Sequence, residues 1–260
     1  MIEIYLLTGV VAGTLAGLLG VGGGLIIVPV LFAVFSRQNF DVDVRMHMAL
    51  ATSLATIVFT SSMSAWSHHR QHAVIWPVVI RLTPGILFGA AAGVMIADVL
   101  PTQALKIIFA VFEILVAIQM AWSVRPASRQ PLPGVAGMFV AGGVIGSVSS
   151  IIGIGGGTLT VPFLTFCQVT IHRAVATSAA CGLPVALSGT LFYILMGWGD
   201  VRLPASTVGY VYSPAFFWIS VSSILFAPFG AWLAHRLPVV ILRRIFALLL
   251  ALIGLRMLVF

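Results

Sequence analysis

The chain has 260 residues, of which 60% are apolar and 7% charged, with a mean hydropathy of +1.16. That leaves too little polar surface to cover a water-soluble globule, so the solvent that the sequence matches is lipid. The formal charge of +7 would suggest nucleic acid in a soluble protein, but the 13 Lys and Arg are scattered over loops and helix ends. Anionic headgroups fit most of them better, and no nucleic-acid partner is expected.

A helix needs roughly 20 apolar residues to cross the hydrocarbon core. Candidate stretches lie at 4–36, 47–67, 74–97, 102–124, 134–168, 173–197, 207–234 and 238–260. The expected fold is therefore an all-α integral membrane protein of about eight hydrophobic segments, one transmembrane domain over 1–260, in a cell membrane. Met1-Ile2-Glu3-Ile4 lacks the basic region of a signal peptide, and the apolar run after it is too long for one, so the first segment is read as retained. Cys167 and Cys181 lie in apolar surroundings without metal-ligand spacing and read as small buried residues.

The chain repeats itself. Gly13 to Gly24, continuing to Val28-Pro29, recurs 133 positions later from Gly146 through Gly153-Ile154-Gly155-Gly156-Gly157 to Val161-Pro162. His47, Ala49, Thr52 and Ser53 reappear 125 positions on as His172, Ala174, Thr177 and Ser178, and Gly93, Pro101, Lys106 and Phe109 align with Gly230, Pro238, Arg243 and Phe246 at a shift of 137. Chance similarity between apolar stretches would not keep glycine triplets, prolines and a Thr-Ser pair in order. The reading is two tandem repeats of four segments, about 4–124 and 134–260, each opening with a glycine-broken helix.

Glycine costs a helix about 1 kcal/mol relative to alanine, so Gly22, Gly23 and Gly24, and Gly155, Gly156 and Gly157, each followed by a proline, should interrupt their segments. A helix break at membrane depth is tolerable only where protein or a water-filled cavity satisfies the freed backbone. A half-helix that starts there presents free N–H groups and a positive dipole end to an anion. Close helix packing is the alternative and fits Gly13-xxx-Gly17 and Gly85-xxx-Gly89-xxx-Gly93, but packing needs spaced glycines on one face rather than three in a row. The triplets are therefore read as substrate-binding. The hydroxyls of Thr52, Ser53, Thr177 and Ser178 join them as candidates, either binding an oxyanion or bonding back to their own helix carbonyls.

His47 and His172 each have an arginine near them, Arg45 and Arg173, which could attract anions, although an arginine at a helix end more often anchors topology. His68, His69, Arg70 and His72 cluster after the second segment. With no carboxylate or thiolate nearby, a basic juxtamembrane loop is preferred to a metal site, and neither metal nor cofactor is expected. Of the six carboxylates, Glu113 alone falls within an apolar segment and is a candidate proton relay, although its repeat counterpart is Leu250. If each glycine-broken segment crosses once, the halves are parallel and Lys plus Arg divide 7 against 6. If each re-enters, the halves are inverted and the division is 8 against 5, a mild preference for inversion.

The motifs Gly20-Val21-Gly22-Gly23-Gly24-x4-Pro29 and Gly153-Ile154-Gly155-Gly156-Gly157-x4-Pro162 resemble the paired signatures of the sulfite exporter TauE/SafE family. The resemblance extends to His47-Met48-Ala49-Leu50-Ala51-Thr52-Ser53-Leu54, to Gly209-Tyr210-Val211-Tyr212 and to Gly230-Ala231-x2-Ala234-His235-Arg236-Leu237-Pro238, and covers essentially the whole chain. It implies a bacterial-type inner-membrane permease for sulfite, sulfonates or other small sulfur oxyanions. The second Thr-Ser pair departs from the first by continuing Ala179-Ala180-Cys181-Gly182-Leu183-Pro184, so the halves need not bind symmetrically.

The functional expectation is transport of a small sulfur-containing anion, with export favoured. An anion leaving a negative-inside cell gains about 2.3 kcal/mol per charge per 100 mV. Two rivals remain at this stage: a membrane-embedded metal-dependent enzyme using His68, His69 and His72, and a passive anion channel.

Overall fold

The structure is a computed structural model that describes residues 1–19, 23–122, 131–234 and 239–259. Among these residues the chain forms ten α-helices: α1 (Ile2–Leu19), α2 (Gly24–Arg37), α3 (Arg45–Arg70), α4 (Trp76–Val99), α5 (Thr102–Trp122), α6 (Val135–Ile152), α7 (Gly157–Phe166), α8 (Ile171–Met196), α9 (Ser213–Ala234) and α10 (Val239–Val259). A two-stranded antiparallel hairpin, β1 (Thr207–Val208) and β2 (Val211–Tyr212), precedes α9. Among the described residues six helices are long and apolar enough to cross a membrane, and the protein is a multi-pass membrane protein, consistent with the plasma membrane. The eight expected segments become ten helices because the first and fifth are each divided, into α1 and α2 and into α6 and α7. At 14 and 10 residues, α2 and α7 are too short to span.

In the second division the stop and the restart are separate. Gly153, at φ +72°, caps α6 in the left-handed region, and the Ile154 N–H returns to the Ser149 carbonyl. Gly156 then caps α7, with Gly157 its first helical residue. The triplet therefore marks where the helix restarts.

Contacts fix the directions of the helices. Gly85, Gly89 and Gly93 of α4 lie against Phe139, Gly143 and Ser147 of α6, so these two run parallel, as do α1 and α9, where Gly9, Gly13 and Thr14 meet Ile219, Ser223 and Gly230. Ile75 beside Thr177 and Leu87 beside Ser188 make α4 and α8 parallel. Tyr212 beside Thr52 and Phe216 beside Phe59 do the same for α3 and α9. The central pair α3 and α8 is antiparallel, with Leu54 against Gly189 and Ser61 against Gly182. Since α6 and α8 share a direction, the chain turns at 153–156, returns along α7, and starts α8 on the face where α6 began; α1, α2 and α3 follow the same course. Consequently the starts of α1, α3, α5 and α9 and the ends of α2, α4, α8 and α10 share one face, here the hairpin face, and the remaining spanning-helix ends share the opposite face.

Lipid tails are as apolar as leucine, so helix association relies on close backbone approach and interhelical hydrogen bonds. Ile80, Phe88 and Leu225 accordingly face outward, while small residues line the seams. In one seam Ser147 Oγ donates to the Gly89 carbonyl at 2.9 Å; in another Ser223 Oγ donates to the Gly9 carbonyl at 3.1 Å. A Cβ at Gly89 would overlap the Gly143 carbonyl, whereas one at Gly134 meets nothing within 4 Å. Gly89→Ala should therefore destabilise the purified protein by about 1–3 kcal/mol, read as a lowered midpoint of thermal unfolding in detergent, with Gly134→Ala as the unaffected control.

Candidate functional site

The two glycine breaks meet in the interior. A Cβ at Gly24, the first residue of α2, would stand 2.6 Å from the Gly153 carbonyl oxygen and 2.9 Å from Cα of Ile154, so only glycine permits this approach. Ser53 Oγ donates to the same Gly153 carbonyl at 2.8 Å, supplying the partner that a broken helix in lipid otherwise lacks. Gly23 caps α2 against Ala12, and Gly22 lies outside the described residues.

A pocket opens beside the start of α7. It is lined by Gly155 and Gly157 of the second break, by Thr60, Ser61 and Ser64 of α3, by Ser178, Ala179 and Gly182 of α8, and by Ala16 of α1. Its volume is about 10 Å³, room for roughly one water. The first intrahelical bond of α7 runs from the Thr160 N–H to the Gly156 carbonyl at 2.8 Å, which leaves the N–H groups of 157–159 without an intrahelical acceptor. Ser64 Oγ, at the pocket wall, is buried without a hydrogen-bond partner among the described residues, as are Thr158 Oγ1 and Thr160 Oγ1 on α7. N–H groups without intrahelical acceptors and a positive helix end are features that favour a negative charge.

Thr60, Ser61, Ser64 and Gly182 were not among the residues expected from sequence. The signal was the hydroxyl run Thr60-Ser61-Ser62-Met63-Ser64 within an apolar segment; it has no copy 125 positions later, where Val185 to Gly189 stand, so comparison of the halves passes over it.

The threonines do something neither sequence reading anticipated. Thr52 Oγ1 accepts the Tyr212 N–H at 3.0 Å, and Thr177 Oγ1 accepts the Ile75 N–H at 3.1 Å. Each tethers the residue just before a long helix, from the other half of the chain. Ser178 Oγ bonds back to the Val175 carbonyl at 2.8 Å while lining the pocket.

The charged candidates sit away from the pocket wall. Arg45 donates to the Phe40 carbonyl, at 3.2 Å from Nε and 2.6 Å from Nη2, and to Ser36 Oγ, closing the α2–α3 connection. His47 is buried, with Nε2 3.0 Å from the Ala97 carbonyl and its ring stacked on Tyr210. Burial, reinforced by Asp98, raises the pKa of the Tyr210 phenol, which donates to Asp98 Oδ1 at 3.1 Å. His172 and Arg173 are exposed at the start of α8. Glu113 is fully buried on α5 against α10, near Gly254, with neither carboxyl oxygen partnered among the described residues, and it does not line the pocket.

The metal-enzyme reading of His68, His69 and His72 fails on this geometry. His69 Nδ1 accepts the Trp76 indole N–H at 3.0 Å, and among the described residues no group of three His, Cys, Asp or Glu is placed to hold a metal.

Replacing Thr52 or Thr177 by valine leaves a backbone N–H without its acceptor at nearly constant volume, so each variant should lose about 1–3 kcal/mol of stability. Thermal unfolding measures it; an unchanged midpoint with reduced transport would instead make these hydroxyls ligands.

A model of the family described as Sulfite exporter TauE/SafE matches residues 5–257. A probable membrane transporter protein of Haemophilus influenzae is 37% identical over 98% of this chain and 97% of its own length. One of Methanocaldococcus jannaschii is 27% identical over 88% of this chain and 82% of its own, and the probable membrane transporter protein YunE of Bacillus subtilis is 25% identical over 75% and 78%. No solved structure matches. The chain belongs to the sulfite exporter TauE/SafE family, a family of membrane transporters rather than enzymes.

Proposed function

We propose that the protein carries a small sulfur-containing oxyanion, sulfite or an organosulfonate, out of the cell, through a site between the two glycine breaks. The observation that carries this reading is the pocket at the α7 start. There Gly155 and Gly157 face Ser61, Ser64 and Ser178, with Ser64 Oγ buried and without a partner among the described residues.

In this reading the chain is two inverted repeats, about 4–124 and 134–260, interlocked so that the first helix of each packs on the fourth of the other. The parallel pairs α1–α9 and α4–α6 and the antiparallel crossing of α3 and α8 support it. Inversion lets one site face either side as the halves rock about it.

Export needs no coupling ion, since the membrane potential drives an anion outward. Glu113, the intramembrane carboxylate that uptake could use as a proton relay, lies outside the pocket wall, which supports the outward direction. Gly23, Gly24, Gly156, Thr52, Ser53 and Thr177 shape the site in this reading, while Gly155, Gly157 and Ser178 touch the anion. Arg45, His47, His172 and Arg173 stand at the membrane faces or in structural contacts.

The test is flux of sulfite, sulfoacetate, thiosulfate and sulfate from proteoliposomes. Hydrogen bonds to a charged group contribute about 1.5–3 kcal/mol, so Ser61→Ala/Ser64→Ala should lower saturable flux at least about tenfold with unchanged thermal stability. His68→Ala/His69→Ala/His72→Ala should transport as wild type. Normal flux in the serine variant would move the site elsewhere, and flux that fails to saturate would favour a channel.

A further inference from the structure

The helix directions sort the charges by face. Glu3, Asp41, Asp43, Asp98 and Asp200 all belong to the hairpin face, and the sixth carboxylate, Glu113, is inside the helical bundle. The hairpin face also holds Arg37, Arg45, Arg202 and Arg256, with Lys106 about one turn inside α5. There Arg202 pairs with Asp200 at 2.7 Å, and that guanidinium holds the Asp200 carboxyl below its usual range.

At the opposite face stand Arg70, Arg81 and Arg173, all exposed, with Arg243 and Arg244 early in α10. Arg125, Arg129 and Arg236 lie outside the described residues. Among the described residues no carboxylate stands at that face. Arg70, Arg81 and Arg173 therefore have no internal counter-charge among the described residues.

The surroundings identify what supplies one. Trp66 and Trp76 are 54% and 42% exposed at the α3–α4 turn; Arg70 lies 5.0 Å over the Trp66 ring, and Trp76 holds His69 through its indole N–H. Exposed tryptophans beside arginines, with lipid-facing Ile80 one turn further along α4, mark the level of lipid headgroups. The turn is too short to project toward a soluble partner.

We propose that this acid-free face docks on the anionic phospholipid headgroups of the cytoplasmic leaflet. That contact orients the molecule, with the hairpin, the start of α1 and the end of α10 outside. Leaflet charge attracts basic juxtamembrane groups. The inference stands whether or not the chain exports sulfur oxyanions.

Two measurements test it on the full chain. In a Cys167→Ser/Cys181→Ser background, Val201→Cys should react with a membrane-impermeant maleimide in intact spheroplasts, and Gln71→Cys only after permeabilisation; the reverse pattern overturns the orientation. In mixed micelles, phosphatidylglycerol should raise the unfolding midpoint of the wild type above that in phosphatidylcholine. Arg70→Gln/Arg81→Gln/Arg173→Gln should lose most of that rise and Arg37→Gln/Arg256→Gln should keep it. Gln71→Glu, at an exposed position, should also reduce it. A full phosphatidylglycerol response in both opposite-face variants, or none in the wild type, overturns the docking surface.

Discussion

The meeting of Gly24 with Gly153 is the constraint on which the rest of the structure depends. An unsatisfied backbone group in hydrocarbon costs several kcal/mol, so a chain that interrupts two helices within a membrane must bring each interruption to protein partners. Here the first break supplies a residue without a side chain, the second a carbonyl and a left-handed turn, and Ser53 the hydrogen bond that closes the contact. The helix directions follow from it. Each short half-helix must return to the face it came from, which places α3 and α8 across each other at the centre and leaves α4, α6, α1 and α9 to wrap them.

The same constraint explains where polar side chains are placed. Thr52 and Thr177 hold the backbone just before α9 and α4, Ser53 holds a turn, and Ser147 and Ser223 bridge glycine seams. Hydroxyls inside the bundle thus fall into two groups. Many are engaged with backbone and hold helices in place, whereas Ser64 at the pocket wall, Thr158 and Thr160 on α7, and Ser149, Thr190 and Ser220 elsewhere are buried with no hydrogen-bond partner among the described residues. Serine and threonine occur in both groups, so residue type alone does not tell them apart.

Much of this was legible in the sequence, and the reasons are physical. Apolar length gives spans because the bilayer has a fixed thickness, and glycine runs give breaks because glycine is the poorest helix former after proline. What stayed hidden depends on pairing across the bundle. Nothing in Thr52 announces that it accepts the N–H of Tyr212, 160 positions away. The matched histidines mislead in the same way, since His47 is buried against Ala97 and Tyr210 while His172 is exposed. The pocket residues Ser61 and Ser64 were missed because matching one half against the other finds what is shared, and these are not.

That lack of sharing bears on mechanism. The shift between matching motifs grows from 125 to 137 between α8 and α9, and those 12 extra positions are where the β1–β2 hairpin stands. The hairpin covers one face, where Tyr210 bonds Asp98 and stacks on His47, and Tyr212 closes with Phe35 and Phe40 at centroid distances of 5.4 and 5.3 Å. The pocket lies toward the other face, since Ser64 is 6 residues from the end of α3 and Ser178 is 7 from the start of α8. Two symmetric halves would give two conformations of nearly equal energy. The hairpin's contacts on one side and the pocket toward the other make the two faces unlike, so in the carrier reading an anion favours opening of the capped face only if it binds the opened state more tightly than this one. Such a difference in affinity would tie opening of the capped face to an occupied site.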